Sequence, residues 1–326
     1  MRAIVVKAHG DLDQIAMVDW PEPEAGPGQA VVEVRVCGLN YLDIFVRRGM
    51  PGLPVQMPRI PGGDISGVVV GVGPGVDGAW VGRRVLVDPH LERGGALGEH
   101  DHGGLCERIA VDAANLIPLT DDVSFEDAAA LPIAYGTAQR MMIARGQVRA
   151  GEMVLILGAS GGVGTACVQI AKNVGAVVIA CASSARKLER LRALGADHLI
   201  DYTREDFSAR AWEISDRKGC DVIVNYTGGD TWVPSLRALA RHGRLLTCGA
   251  TARYDPPTDI RYIWRREVTI VGANGWTRGD LEQLLDDVRH RRIRPAIDRV
   301  FPLEEAREAM RVVEDREVFG KVLVRP

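Results

Sequence analysis

The stretch Val154-Leu-Ile-Leu157-Gly158-Ala159-Ser160-Gly161-Gly162-Val163-Gly164 runs from a short apolar segment into a glycine-rich turn, and a helical stretch continues to about Val174. Glycines here permit a tight turn and let the backbone approach a ligand closely. A helix opening at such a turn offers free N–H groups and the positive end of its dipole, which suits a pyrophosphate. The strand–turn–helix order predicts a dinucleotide site built from Gly158, Ala159, Ser160, Gly161, Gly162, Val163 and Gly164.

Outward from this turn, apolar runs alternate with helical stretches. Residues 176–180, 198–200, 220–224, 243–247 and 268–271 read as strands. Residues 185–194 read as a helix with Leu188, Leu191 and Leu194 on one face and Gly195 as its stop. Continuous apolar strands in βαβ order require a parallel sheet covered on both faces, so the class is α/β with a doubly wound dinucleotide-binding domain. A site for NAD places an acidic residue at the end of the second strand, against the ribose 2′-hydroxyl. Here that position reads Ala180-Cys-Ala-Ser183-Ser184-Ala-Arg186-Lys187. Two hydroxyl donors, Ser183 and Ser184, and the Lys187 ammonium suit a 2′-phosphate, so NADP(H) is expected. The alternative, that Arg186 and Lys187 cover an exposed helix start, sets two cations against the helix dipole.

Toward the N-terminus the texture differs. Residues 30–36, 65–71 and 84–88 read as short strands, separated by turn clusters such as Pro21-Glu-Pro-Glu-Ala-Gly-Pro-Gly28. They predict an antiparallel, barrel-like β domain. Ser124, three residues before Asp127, opens an alanine-rich helix through Ala130. A helix over 303–313 and a strand over 321–324 close the chain and are expected to return to the first domain. The expected organisation is residues 1–122 with 294–326 as one domain and 123–293 as the other, with a ligand cleft between them. The 326 residues are 46% hydrophobic and 25% charged, with a formal charge of −3, which gives no attraction to nucleic acid or an anionic membrane. No apolar run approaches the roughly 18 residues of a membrane span. The start, Met1-Arg-Ala-Ile-Val-Val-Lys7, alternates like a strand, and the six cysteines show no Cys-x-x-Cys spacing, so a cytoplasmic protein with reduced thiols is expected.

Several segments carry a resemblance: Gly38-Leu-Asn-Tyr-Leu-Asp43, Pro61-Gly-Gly-Asp-Ile-Ser-Gly67, Ala128-Ala-Ala-Leu-Pro-Ile-Ala-Tyr-Gly-Thr-Ala138, the turn at 158–164, Gly195-Ala-Asp-His-Leu-Ile-Asp-Tyr202 and Gly320-Lys-Val322. Over nearly its whole length the chain resembles the medium-chain dehydrogenase/reductase superfamily, most closely its quinone oxidoreductase-like branch. The resemblance implies a GroES-like β domain, a Rossmann domain, a nicotinamide cofactor and a homodimer. It sets Tyr202 near the adenosine 2′-phosphate and Thr137 and Asn274 near the nicotinamide, and Lys321 joins the expected cofactor set.

Zinc alcohol dehydrogenases of the superfamily hold a catalytic metal at positions that fall here on Asn40, Gly62-Gly63-Asp64 and Ile133. Glycine and isoleucine offer no ligand atom and asparagine is a poor substitute for thiolate, so no metal is expected. His90, His100, His102 and Cys106 offer a nominal N₃S set, yet they lie in a segment that reads as a solvated loop. Without a Lewis acid, alcohol oxidation near neutral pH is hard. Reduction of a quinone, enone or enoyl thioester is easier, because the developing oxyanion needs only hydrogen-bond donors and a proton. Asn40, Tyr41 and Asp43 are the candidate catalytic residues; Asp43 is equally readable as structural, orienting backbone or Arg47. Trp276 reads either as a pocket wall or as core or subunit contact. Arg261, Arg265 and Arg266 read as a solvated loop or dimer edge, or as holders of coenzyme A phosphates. Alternatives for the whole chain are an alcohol dehydrogenase with an atypical metal site and a nucleotide-binding sensor or structural protein without turnover.

Overall fold

Strands rich in β-branched residues organise both halves of the chain. The structure is a computed structural model that describes residues 1–52, 54–92 and 94–326. It divides into two units, Met1–Ile133 with Leu281–Pro326, and Ala134–Asp280. In chain order the first unit supplies β1 (Arg2–Val6), β2 (Ile15–Asp19), β3 (Gln29–Leu39), β4 (Asp64–Val72), β5 (Arg84–Val87), β6 (Arg108–Asp112) and β7 (Leu116–Pro118). The second contains β8 (Met153–Ile156), β9 (Val177–Ala182), β10 (His198–Asp201), β11 (Cys220–Val224), β12 (Leu239–Thr247) and β13 (Thr269–Gly272). The chain then returns to the first unit with β14 (Ile297–Pro302) and β15 (Lys321–Arg325).

In the first unit the main sheet runs β14-β15-β3-β4-β5-β7, with β6 also on β3. Among the described residues, only the β14–β15 pair of this sheet is parallel. Irregularities between Val31/Val32 and Val34/Val36 let β3 serve three partners. Its first half pairs with β6 and its last residues with β15, while β4 follows most of its length. Val32, Val34, Ile65, Val69, Val85 and Ile109 fill the interior, and Leu303, Ala309 and Met310 join them from the tail. The strand expected over 30–36 therefore extends to Leu39, which carries the chain directly to Asn40. The expected helix over 303–313 opens with a 3₁₀ turn, Leu303–Glu305, before helix Ala306–Glu314. Strand β14 was not read from the sequence: it mixes polar and apolar residues, ends on Pro302 and has no fully buried residue.

The second unit holds a six-stranded, wholly parallel sheet in the order β10-β9-β8-β11-β12-β13. Numbered within the unit this is 3-2-1-4-5-6, the dinucleotide-binding order, whose reversal lies between β8 and β11. The α/β class with a GroES-like unit and a Rossmann unit is thus the class read from the sequence. No helix among the described residues is long and apolar enough to cross a membrane.

The helix Tyr41–Arg48 is tied to helix Ala306–Glu314 by an ion pair. Arg47 is fully buried; its guanidinium donates to the Gly10 carbonyl at 2.7 Å and pairs with Glu314, which also meets Arg48. Removing one partner of a buried pair strands a charge at about 3–5 kcal/mol. We therefore expect Glu314→Ala to lower the unfolding midpoint in urea markedly, and Arg47→Met/Glu314→Met to recover part of the loss.

Candidate functional site

In the second unit, the turn after β8 is shaped by two glycines. Gly158 has φ +61°, a left-handed conformation, and a Cβ at Gly164 would stand 2.4 Å from the Gly158 carbonyl oxygen. Gly161 caps helix Gly162–Val174, and the Ala159 N–H donates to Cys181 O at 3.1 Å, fixing the turn to β9. The turn is a backbone cradle that fits a pyrophosphate. β9 runs to Ala182, so Ser183 is the first residue past the sheet. Ser184 caps helix Ala185–Ala193, accepting from Lys187 N. This leaves the Ser184 hydroxyl hydrogen available to a phosphate oxygen. Because Asp201 of β10 stands opposite Ala182, Tyr202 emerges beside Ser183, and its phenol is exposed. The fold thus brings Ser183, Ser184, Lys187 and Tyr202 to one edge. Thr137 sits in a short helical turn between two π-helical segments, Leu131–Gly136 and Arg140–Arg145, and Asn274 is exposed just after β13.

One residue of this site went unread in the sequence. Tyr226, two residues past β11, donates its hydroxyl to Gly158 O at 2.7 Å and covers the turn. Burial pushes its pKa up, so the phenol keeps its proton and remains a donor. Asn225 beside it is fully buried, donating to Ser235 and accepting from the Thr227 and Gly228 N–H groups. The available signal was polar residues placed directly after an apolar strand at the sheet's switch point. Trp276 is buried, with its indole where a Cβ on Gly136 would fall. The arginine cluster is largely committed within its own unit. Arg266 donates to the Arg237 and Leu239 carbonyls and lies over Trp212, and Arg261 pairs with Asp259 at 2.7 Å.

In the first unit, Asn40, Asp64, Ile133 and Lys321 form one cluster. Asp64 Oδ2 accepts from Asn40 Nδ2 and from Lys321 Nζ, both at 2.8 Å, and Asp64 Oδ1 accepts from Ile133 N at 2.8 Å. Lys321 Nζ also donates to Leu39 O at 2.8 Å and Asn40 Oδ1 at 2.6 Å. Its three protons are therefore taken inside this unit and its side chain is 1% exposed, whereas the sequence reading sets it among the cofactor contacts. The positions that the resemblance aligns with zinc ligands come together: Asp64 bonds both Asn40 and Ile133, and a Cβ on Gly63 would lie 2.9 Å from Ile133 Cδ1. Asp43 accepts from Asn40 N and Gly62 N, both at 2.8 Å, joining the two segments that carry the cluster. Tyr41 is half-buried, edge-on to Phe45 at 5.1 Å.

The histidine-bearing loop is held by protein partners. His102 Nδ1 accepts from Ile60 N at 3.2 Å and its ring meets Trp20 edge-on; burial lowers its pKa. Cys106 donates to Arg108 O, and burial pushes its thiol up to about 12. Among the described residues, no group of three or more His, Cys, Asp or Glu is placed to hold a metal.

Comparison with known proteins gives consistent matches. Residues 26–121 match the alcohol dehydrogenase GroES-like domain and residues 162–289 the zinc-binding dehydrogenase family. The chain is 32% identical to the synaptic vesicle membrane protein VAT-1 homolog of Rattus norvegicus, covering 100% of this chain and 84% of that one. It is 30% identical to quinone oxidoreductase-like protein 2 of Bos taurus, covering 91% and 85%. A solved NAD-dependent alcohol dehydrogenase superimposes with a TM-score of 0.95 at 36% identity, over 100% of both chains.

Burial pushes the Asp43 carboxyl from its ordinary 3.8 up to about 6, against the pull of its two backbone donors. The folded chain then holds this proton more tightly than the unfolded chain. Asp43 lowers stability as pH rises from 3.8 to about 6, by about 3 kcal/mol, and adds no slope above that range. Thermal unfolding from pH 4 to 7 should show this slope in the parent and not in Asp43→Asn; identical profiles would remove Asp43 as its source.

Proposed function

This chain belongs to the medium-chain dehydrogenase/reductase superfamily, in its quinone oxidoreductase-like branch, and we propose that it is a zinc-independent, NADPH-dependent reductase of quinones or activated C=C bonds. The observation that carries this reading is the closed Asn40–Asp64–Lys321 network. At the positions where zinc relatives hold metal, Gly63 and Ile133 have no donor atoms, and the Asn40 carbonyl is occupied by an ammonium. What remains is hydrogen-bond donation, which suits a developing oxyanion better than an alcohol awaiting deprotonation.

NADPH, when bound, supplies hydride. The glycine turn 158–164 and the start of helix Gly162–Val174 hold the pyrophosphate; Ser183, Ser184, Lys187 and Tyr202 hold the 2′-phosphate; Thr137 and Asn274 flank the nicotinamide. Asn40, with Tyr41 beside it, donates to the acceptor's oxygen. The similarity to quinone oxidoreductase-like protein 2 supports this acceptor class. The expected assembly is a homodimer, supported by β13 standing at a sheet edge with Ile270 exposed. A second reading, NAD-dependent alcohol oxidation, is favoured by the name of the 36% identical structural neighbour.

Oxidation of NADPH should be followed with quinones, enones and enoyl thioesters in the presence of a chelator. Turnover that survives the chelator is the expected result; metal-dependent oxidation of an alcohol with NAD would replace this reading with the second. Lys187→Ala should raise the KM for NADPH about tenfold, the loss of one charge-assisted bond, and leave that for NADH unchanged.

A further inference from the structure

We infer that Lys321 and Asp64 are positioning residues that lock the Asn40 amide as a one-way hydrogen-bond donor, an arrangement that serves reduction of carbonyl-conjugated acceptors. The inference rests on the function proposed above and adds to it how the donor is made.

The two ends of an asparagine amide are told apart by their neighbours. An ammonium can only donate and an ionised carboxylate can only accept. Asn40 stands between one of each: Lys321 Nζ donates to its Oδ1 at 2.6 Å, and its Nδ2 donates to Asp64 Oδ2 at 2.8 Å. Turning the amide over would set NH₂ against ammonium and C=O against carboxylate, so one orientation is enforced. Nδ2 carries two hydrogens and Asp64 takes one. Among the described residues the second has no acceptor, and Asn40 keeps 9% of its surface exposed. The ammonium on Oδ1 draws electron density out of the amide, which strengthens donation from that remaining N–H.

The same network gives each oxygen of the cluster a hydrogen-bond donor. Asn40 Oδ1 and Asp64 Oδ2 face Lys321, Asp64 Oδ1 faces Ile133 N, and both Asp43 oxygens face backbone N–H groups. An enone fits: it gains hydride at its β carbon as NADPH becomes NADP⁺, its π pair moves to the carbonyl oxygen, and that oxyanion accepts from Asn40. A proton from water then completes the saturated ketone.

Two variants and two acceptors test this. Asn40→Ala removes the donor and leaves Lys321 and Asp64 paired; Asp64→Asn/Lys321→Met removes both buried charges together, which protects the fold. With cyclohexenone, whose enolate oxygen is basic, each should lower kcat by about 10²-fold, the usual effect of losing an oxyanion donor. With benzoquinone, whose reduced oxygen is far less basic, the loss should be several-fold smaller, and the KM for NADPH should not move in either case. Independently of turnover, ¹⁵N-asparagine NMR should show one strongly shifted Asn40 side-chain proton, which returns to the free-amide position in the double variant. Equal losses for both acceptors, or unchanged turnover, would overturn the inference, as would a free-amide signal in the parent protein. A parent inactive with every acceptor would overturn the proposed function and the donor role with it; the NMR signal then decides the positioning alone.

Discussion

A buried ammonium beside a buried carboxylate constrains the first unit. Lys321 and Asp64 are 1% and 0% exposed, and taking each ion from water costs several kcal/mol. The cost is offset only if every proton and lone pair finds a partner. Asp64 receives two side-chain donors and one backbone N–H, and Lys321 gives its three protons to three oxygens. Those partners come from the end of β3, the start of β4, the segment before Ala134 and the start of β15. The requirement of complete hydrogen bonding thereby sets where Asn40, Gly63 and Ile133 stand.

The second unit obeys a different constraint. Its site is made chiefly of backbone, so it depends on what side chains leave room for. A Cβ at residue 164 would collide with the turn's own carbonyl, and a Cβ at residue 158 would crowd the Tyr226 ring. Tyr226 in turn bonds the same carbonyl, so the turn is shaped from both sides. Under the proposed function, phosphate recognition falls to the helix start and to the small hydroxyl residues past β9, which tolerate close approach.

Much of this was legible in the sequence because it depends on local pattern. The Gly158–Gly164 turn, the apolar parallel strands and the hydroxyl pair at 183–184 lie within a few residues of the features that explain them. The identities of Asn40, Gly63 and Ile133 could also be read, since they depend only on which atoms a side chain carries. The role of Lys321 was not legible. Its spacing marks a strand start, whereas its partners lie 257 and 281 residues away, and only the folded sheet reveals them. Tyr226 was missed for the same reason, because its contact with Gly158 is made across the sheet. Strand β14 gave too little hydrophobic alternation to be seen.

The Lys321–Asp64 bond also sets an order of events on the ribosome. Asp64 is synthesised early and its counter-ion arrives only after the whole second unit has been made. Until then the carboxylate has no cation to justify leaving water, so the first unit stays incomplete while the second, continuous in sequence, is free to fold. Closing a loop of that length is slow compared with pairing neighbouring strands. The second unit thus has all its strands in hand before the ion pair that completes the half carrying Asn40 can form.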